Sequence, residues 1–286
     1  MPAVLRYHPA AMPRLSANLS YLFTERPFLD RFEAAARWGF RAIEHQFPYT
    51  EAPESAIRER LRAHDLHAVL FNLPPGNEGE RGLGGLPGRE AEFREGLDLA
   101  LRYCRATGCP RLHAMWGVPD EETGLAESRA TFVANLREAA PRAAEAGVTL
   151  LVEPLNPRDN PGYPLNRQAD AHALVAEVGA PNVKVQFDLY HCQIVEGDVA
   201  PKLDRWVGGP DSNVGHIQIA GPPDRLEPDA GELNYAWLLP RIDALGYTGW
   251  VGCEYRPAAG TEAGLAWASR WGIRPPSAAG GDGSDA

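Results

Sequence analysis

Eight times along the chain a short run of mostly apolar, β-favouring residues gives way to a longer segment whose apolar positions keep a helical period. The strand-like runs are LSANLS, RAIEHQF, HAVLFNLP, RLHAMWG, TLLVEPL, VKVQFDL, GHIQIAG and WVGCEYR. Helices are predicted to begin near Phe28, Pro53, Arg89, Leu125, Gln168, Ala200, Tyr235 and Glu262. The turns Gly39-Phe40, Gly147-Val148 and Gly246-Tyr247 read as helix stops placed just before a strand. Eight alternations predict an α/β fold, a (β/α)8 TIM barrel, built as a single domain over residues 13–274. Pro141 falls inside an Ala-rich helical pattern from Leu125 to Ala146, so a kink or two shorter helices are expected there. The stretch 275–286, PPSAAGGDGSDA, has nothing to bury and is expected to be a mobile, disordered tail.

Four of the later strand-like runs deliver an oxygen-bearing side chain at or near their ends: Glu153, Asp188, Gln218 and Glu254. Their separations of 35, 30 and 36 residues match one βα repeat of about 30 or more residues. Parallel strands of a closed barrel therefore bring them to a common end, where the loops of such barrels carry chemistry. A strand-end carboxylate taken alone is as readily an arginine partner or a helix cap. Three buried together repel one another unless a cation or protonation relieves them. An all-oxygen set suits Mg²⁺ or Mn²⁺ better than a structural zinc held by Cys and His. A cation there would leave positions for a substrate with adjacent oxygens, and Glu153 and Glu254 are the natural pair to move a proton between neighbouring carbons. Of Glu44 and His45, alternation points only one into the barrel, and Glu44 is the candidate for a role in the pocket or in supporting it. His113 reads as a packed structural histidine.

Composition narrows the partners. A formal net charge of -10 argues against nucleic acid, whose phosphates are met by clustered Lys and Arg. No apolar run reaches the roughly 18–20 residues needed to span a bilayer, so no membrane partner is expected. The cysteines Cys104, Cys109, Cys192 and Cys253 show no CxxC pairing and no secretory segment precedes them, which predicts a reducing cytosol and a cytoplasmic protein. The glycine string from Gly82 to Gly88 lacks the dinucleotide spacing and its acidic partner, so no nucleotide cofactor is expected. A homo-oligomer is left open.

Several strings are long enough to carry a resemblance: FPY at Phe47–Tyr49, FNLPPGN from Phe71, GERG from Gly79, EPLNPRD from Glu153, QFDLYH from Gln186, GHIQIAGPP from Gly215, GELNY from Gly231 and GCEYRP from Gly252. Together they make the chain, from Leu15 through Arg256, similar to the hydroxypyruvate isomerase family within the xylose-isomerase-like barrels. The resemblance implies conversion of hydroxypyruvate to tartronate semialdehyde, or of a similar 2-oxo acid, through an enediolate. It implies a divalent metal, Mg²⁺ or Mn²⁺, on Glu153, Asp188, Gln218 and Glu254, with Glu153 and Glu254 as acid and base. His191, Arg225 and Asp159 fall where relatives contact substrate. The chain departs from the family pattern before GERG, where Glu78, after Gly76-Asn77, stands in place of a tryptophan. A 2-oxo-tetronate isomerase, a ketose 3-epimerase or an inosose-type dehydratase would use the same barrel, and a non-catalytic sugar-acid-binding barrel is the reading from another class.

Overall fold

The computed structural model describes residues 13–209 and 212–274, so the expected tail at 275–286 lies outside the described residues. Eight strands, β1 (Arg14–Asn18), β2 (Ala42–His45), β3 (His67–Asn72), β4 (Arg111–His113), β5 (Thr149–Val152), β6 (Val183–Asp188), β7 (Val214–Ile219) and β8 (Trp250–Cys253), pair in parallel and in chain order. The barrel closes where β1 meets β8, from Arg14 beside Trp250 to Ala17 beside Cys253. This is the (β/α)8 architecture expected from the alternation.

Helices α1 (Arg31–Arg37), α2 (Glu54–Ala63), α3 (Glu90–Thr107), α4 (Leu125–Glu145), α5 (Gln168–Val178), α6 (Leu189–Val195), α7 (Val199–Trp206), α8 (Tyr235–Ala244) and α9 (Thr261–Gly264) supply the crossovers. Strands covered on both faces read as continuous apolar runs, as in β5, whose Leu150, Leu151 and Val152 are all buried. From the helical layer Phe32, Ile57, Leu97, Phe132, Leu174 and Leu239 are fully buried. The glycine stops behave as read. Gly39, Gly147 and Gly246 have φ of +94°, +69° and +85°, the left-handed region that a side chain resists.

Three expectations are corrected. α4 runs through Pro141 as one helix. Pro141 lies near its C-terminus, where few backbone bonds remain to lose, and the buried Phe132, Leu136, Ala139 and Ala140 hold the helix in place. An additional helix, α6, follows β6 directly because Asp188 caps it, accepting from the Tyr190 N–H at 2.8 Å; the predicted helix near Ala200 is α7. The helix expected from Glu262 is a single turn, α9, continued by a 3-10 segment, Leu265–Trp271.

The register sets the site. Asp188 stands beside Gln218, Gln218 beside Gly252, and Asn18 beside Glu44. Since side chains alternate along a strand, Gln186 with Asp188, and His216 with Gln218, share a face.

Candidate active site

Glu153, immediately after β5, and Asp188, the last residue of β6, are both buried at the C-terminal mouth of the barrel. Each has one oxygen engaged. Glu153 Oε2 accepts from Gln186 Nε2 at 2.9 Å and lies 3.4 Å from His113 Nδ1, while Asp188 Oδ1 caps α6. The other oxygens, Glu153 Oε1 and Asp188 Oδ2, are buried with no hydrogen-bond partner. Neither oxygen has a hydrogen bond to offset its loss of water. Burial, then repulsion from Glu254 and Asp188, drives the Glu153 carboxyl well above its ordinary range. Burial raises Asp188 to about 7 against the opposing pull of Arg225.

Beneath these carboxylates lies a chain of amides. Gln186 Nε2 also donates to Gln218 Oε1 at 2.6 Å, and Gln218 Nε2 donates to Glu44 Oε1 at 2.8 Å. Glu44 accepts besides from His216 Nε2 at 2.7 Å and Asn18 Nδ2 at 3.1 Å. The Gln218 amide is thereby oriented with its NH₂ towards Glu44 and its oxygen towards Gln186. Gly252 makes room for this: a Cβ there would fall 2.3 Å from Glu44 Oε1. Glu44 is fully buried and does not line the cavity, so of the two roles expected for it the substrate contact falls away and the support of Gln218 stands.

Glu254, just after β8, is fully partnered. Oε1 accepts from Asn18 Nδ2 at 3.1 Å and Gln46 Nε2 at 3.0 Å, and Oε2 meets Arg225 Nη2 at 2.5 Å. Burial raises its pKa and the Arg225 guanidinium works the other way. The same Nη2 is 3.9 Å from Asp188 Oδ2, and Nη1 is 3.6 Å from Asp159 Oδ2. Arg225 lies between the rings of Tyr21 and Tyr190, 5.2 and 5.1 Å from their centroids, a placement that favours a cation on both faces. Asp159 also accepts from Tyr190 Oη at 2.8 Å.

His191, on α6, accepts the Asn156 backbone N–H at Nδ1, 3.1 Å. An imidazole nitrogen that accepts carries no proton, so the neutral ring bears its proton on Nε2, which lies 3.7 Å from Asp188 Oδ2. Burial, then Arg225, holds His191 well below its ordinary pKa. Glu153, Asp188 and His191 offer ligand atoms within 4.8 Å of one another and could hold a metal ion, but His191 would have to give up its Asn156 contacts to join. As bonded, it is a hydrogen-bond donor.

A cavity of about 250 Å³ opens above these groups, lined among others by Glu153, His191, Asp159, Arg225 and Glu254. Of the residues singled out in the sequence, Asp188 and Gln218 do not line it; both are buried behind the lining residues. His113 does line it, beside Glu153 rather than in remote packing; burial lowers its pKa to about 3, so it is neutral. Sequence reasoning missed Gln186, His216, Asn18, Gln46, Asn156 and Arg81. Alternation carried a signal for the first two, polar residues two places before Asp188 and Gln218 on the same inward face.

A divalent cation fits this donor set. Glu153 and Asp188 each keep a buried carboxylate oxygen without a hydrogen bond and offer ligand atoms within 4.8 Å of each other, and carboxylate oxygens are what hard cations take. Among the described residues the four cysteines are free and buried, and no helix is long and apolar enough to cross a membrane.

The barrel with acidic groups at its mouth defines the class, and the chain belongs to the xylose isomerase-like TIM barrel family, whose model matches residues 32–271. Within it, the chain groups with isomerases. It is 57% identical over 258 residues to a 2-oxo-tetronate isomerase of Cupriavidus necator, covering 90% of this chain and 97% of that protein. It is 43% identical to the hydroxypyruvate isomerase of Escherichia coli, covering 90% and 98%. A crystal structure described as an AP endonuclease, family 2, from Brucella melitensis superposes with a TM-score of 0.87 at 48% identity, covering 91% and 99%. A D-psicose 3-epimerase from Clostridium cellulolyticum shares the fold alone, at 19% identity and a TM-score of 0.69, covering 96% and 93%.

Proposed function

We propose that the protein is a metal-dependent isomerase of short 2-oxo acids bearing a neighbouring hydroxyl, converting hydroxypyruvate to tartronate semialdehyde. The observation that carries this reading is the pair of buried carboxylate oxygens without a hydrogen bond, Glu153 Oε1 and Asp188 Oδ2, on two residues that offer ligand atoms within 4.8 Å of each other, with Glu153 lining a small cavity. Glu153, Asp188, Gln218 and Glu254 would hold Mg²⁺ or Mn²⁺, which when bound polarises the substrate carbonyl and favours loss of the adjacent proton.

The chain's own residues do the rest. Glu153 has an oxygen free of hydrogen bonds, and the burial that raises its pKa makes its carboxylate a stronger base. It removes the proton from C3, and Glu254, held by Asn18, Gln46 and Arg225, faces the same carbons as its partner in returning one to C2. His191 donates from Nε2 to a substrate oxygen. Arg225 and Asp159 border the substrate, with Arg225 lowering the energy of negative charge near Glu254 and Asp188. The 57% identity to a 2-oxo-tetronate isomerase favours a second reading, in which the substrate has one more hydroxymethyl group on C3 and undergoes the same proton shift.

NMR in D₂O, following deuterium entry into hydroxypyruvate and 2-oxo-tetronate with Mg²⁺ or Mn²⁺ added, tests both. Glu153→Gln and Glu254→Gln should each lose roughly 10²–10⁴-fold in kcat, the scale of a positioned acid or base, with the circular dichroism unchanged. Full turnover in either variant refutes the two-carboxylate scheme.

A further inference from the structure

Three arginines line the catalytic cavity, Arg81, Arg225 and Arg256, and they differ in how their charge is met. Arg225 faces the carboxylates of Glu254, Asp159 and Asp188. Arg81 faces none: its Nη1 donates to the Asp159 main-chain carbonyl at 2.5 Å and to the Asn160 side-chain oxygen, both neutral acceptors. The acids nearest to it are committed elsewhere. Glu80 is held by Arg89 at 2.9 and 3.2 Å, and the Asp159 carboxylate by Tyr190 and Arg225. Among the described residues Arg81 makes no salt bridge, and it is half-buried at the mouth of an otherwise acidic cavity.

The loop that presents Arg81 is rigidly seated. Gly84 and Gly85 donate to the carbonyls of Met115 and Trp116 at 3.1 and 2.6 Å, and their own carbonyls accept from Asn135 and Ser128. A Cβ at Gly82, Gly84 or Gly85 would fall 2.4, 2.5 or 2.2 Å from Met115, Phe132 or Trp116. The glycine string thus serves close backbone approach of the β3–α3 loop to the β4–α4 segment rather than phosphate binding. It fixes Arg81 in the lining of the cavity that Glu153 and His191 also line.

We propose that Arg81 is the specificity-determining residue that recognises the substrate carboxylate, selecting 2-oxo acids over neutral hydroxyketones of the same length. The inference rests on the isomerase reading for its substrate class. A carboxylate chelated beside the acidic groups needs a cation whose charge is still available, and a guanidinium whose Nε and Nη2 have no hydrogen-bond partner among the described residues offers it two N–H donors.

The test compares the intact enzyme with Arg81→Met, Arg81→Lys and Arg256→Met. The readouts are the ratio of kcat/KM for hydroxypyruvate over dihydroxyacetone, and the ratio of affinities for glycerate over glycerol by calorimetry. Arg81→Met should lower both ratios roughly 10- to 100-fold, the range a charge-assisted hydrogen bond commands. Arg81→Lys should recover part of this, and Arg256→Met, at an exposed side chain, should change the ratios less than Arg81→Met does. Equal losses for acid and neutral ligand in Arg81→Met would mean a purely structural loop contact and would overturn the proposal, as would a wild-type enzyme with no preference for glycerate over glycerol. If the wild type turns over neither ketone, the isomerase reading fails while the glycerate-to-glycerol ratio still decides the role of Arg81.

Discussion

Glu44→Leu removes the acceptor on which three buried donors converge. Asn18 Nδ2 at 3.1 Å, Gln218 Nε2 at 2.8 Å and His216 Nε2 at 2.7 Å all point at this carboxylate, and all three residues are at most 1% exposed. Leucine occupies a similar volume, so water gains no room to replace the lost oxygens. A buried donor left unsatisfied costs about 1–3 kcal/mol. Asn18 keeps its bond to Glu254, so the loss falls chiefly on Gln218 and His216. The sum is about 4 kcal/mol, or roughly a 10 °C fall in Tm for a domain of this size. Glu44→Gln should behave differently. Its oxygen can still accept from Asn18 and Gln218, and its NH₂ then meets His216, whose Nδ1 has no partner. The imidazole proton can move to Nδ1 and leave Nε2 as an acceptor, so the cost stays near about 1 kcal/mol. Thermal unfolding of the two variants decides the matter. A Glu44→Leu protein as stable as wild type, or a Glu44→Gln protein equally damaged, would refute the donor convergence.

Two further outcomes are expected. Protein stripped with EDTA should gain stability on adding Mn²⁺ or Mg²⁺, by about 2.7 kcal/mol at a hundredfold excess over Kd, and Asp188→Asn should abolish the gain; a Tm unmoved by either ion would remove the cation from the site. His172 is stacked on Trp206 at 3.9 Å, and burial, then Arg205, lowers its pKa from 6.5 to about 4. The folded state therefore resists its protonation, and stability is full above pH 6.5 and declines as pH falls towards 4. His172→Phe, which keeps the stack, should gain on wild type by roughly 3 kcal/mol at pH 4, and parallel stability profiles of the two proteins would contradict this.

The primary sequence by itself determined the alternation of eight strands and helices, the glycine stops at Gly39, Gly147 and Gly246, and the gathering of Glu153, Asp188, Gln218 and Glu254 at one end of a barrel. These follow from periodicity and repeat length, which are local. It also pointed to the wrong break at Pro141, since propensity knows nothing of the neighbouring helices that hold α4. Only the tertiary structure decided which oxygen of each carboxylate is left free, that Glu44 supports Gln218 from below instead of lining the cavity, and that His191 carries its proton on Nε2. It alone separated a neutralised Arg225 from an uncompensated Arg81. Those distinctions depend on hydrogen bonds between residues as far apart as Glu44 and His216, or Asn18 and Glu254. Such pairings are set by the register at which the barrel closes, and no local pattern in the chain encodes them.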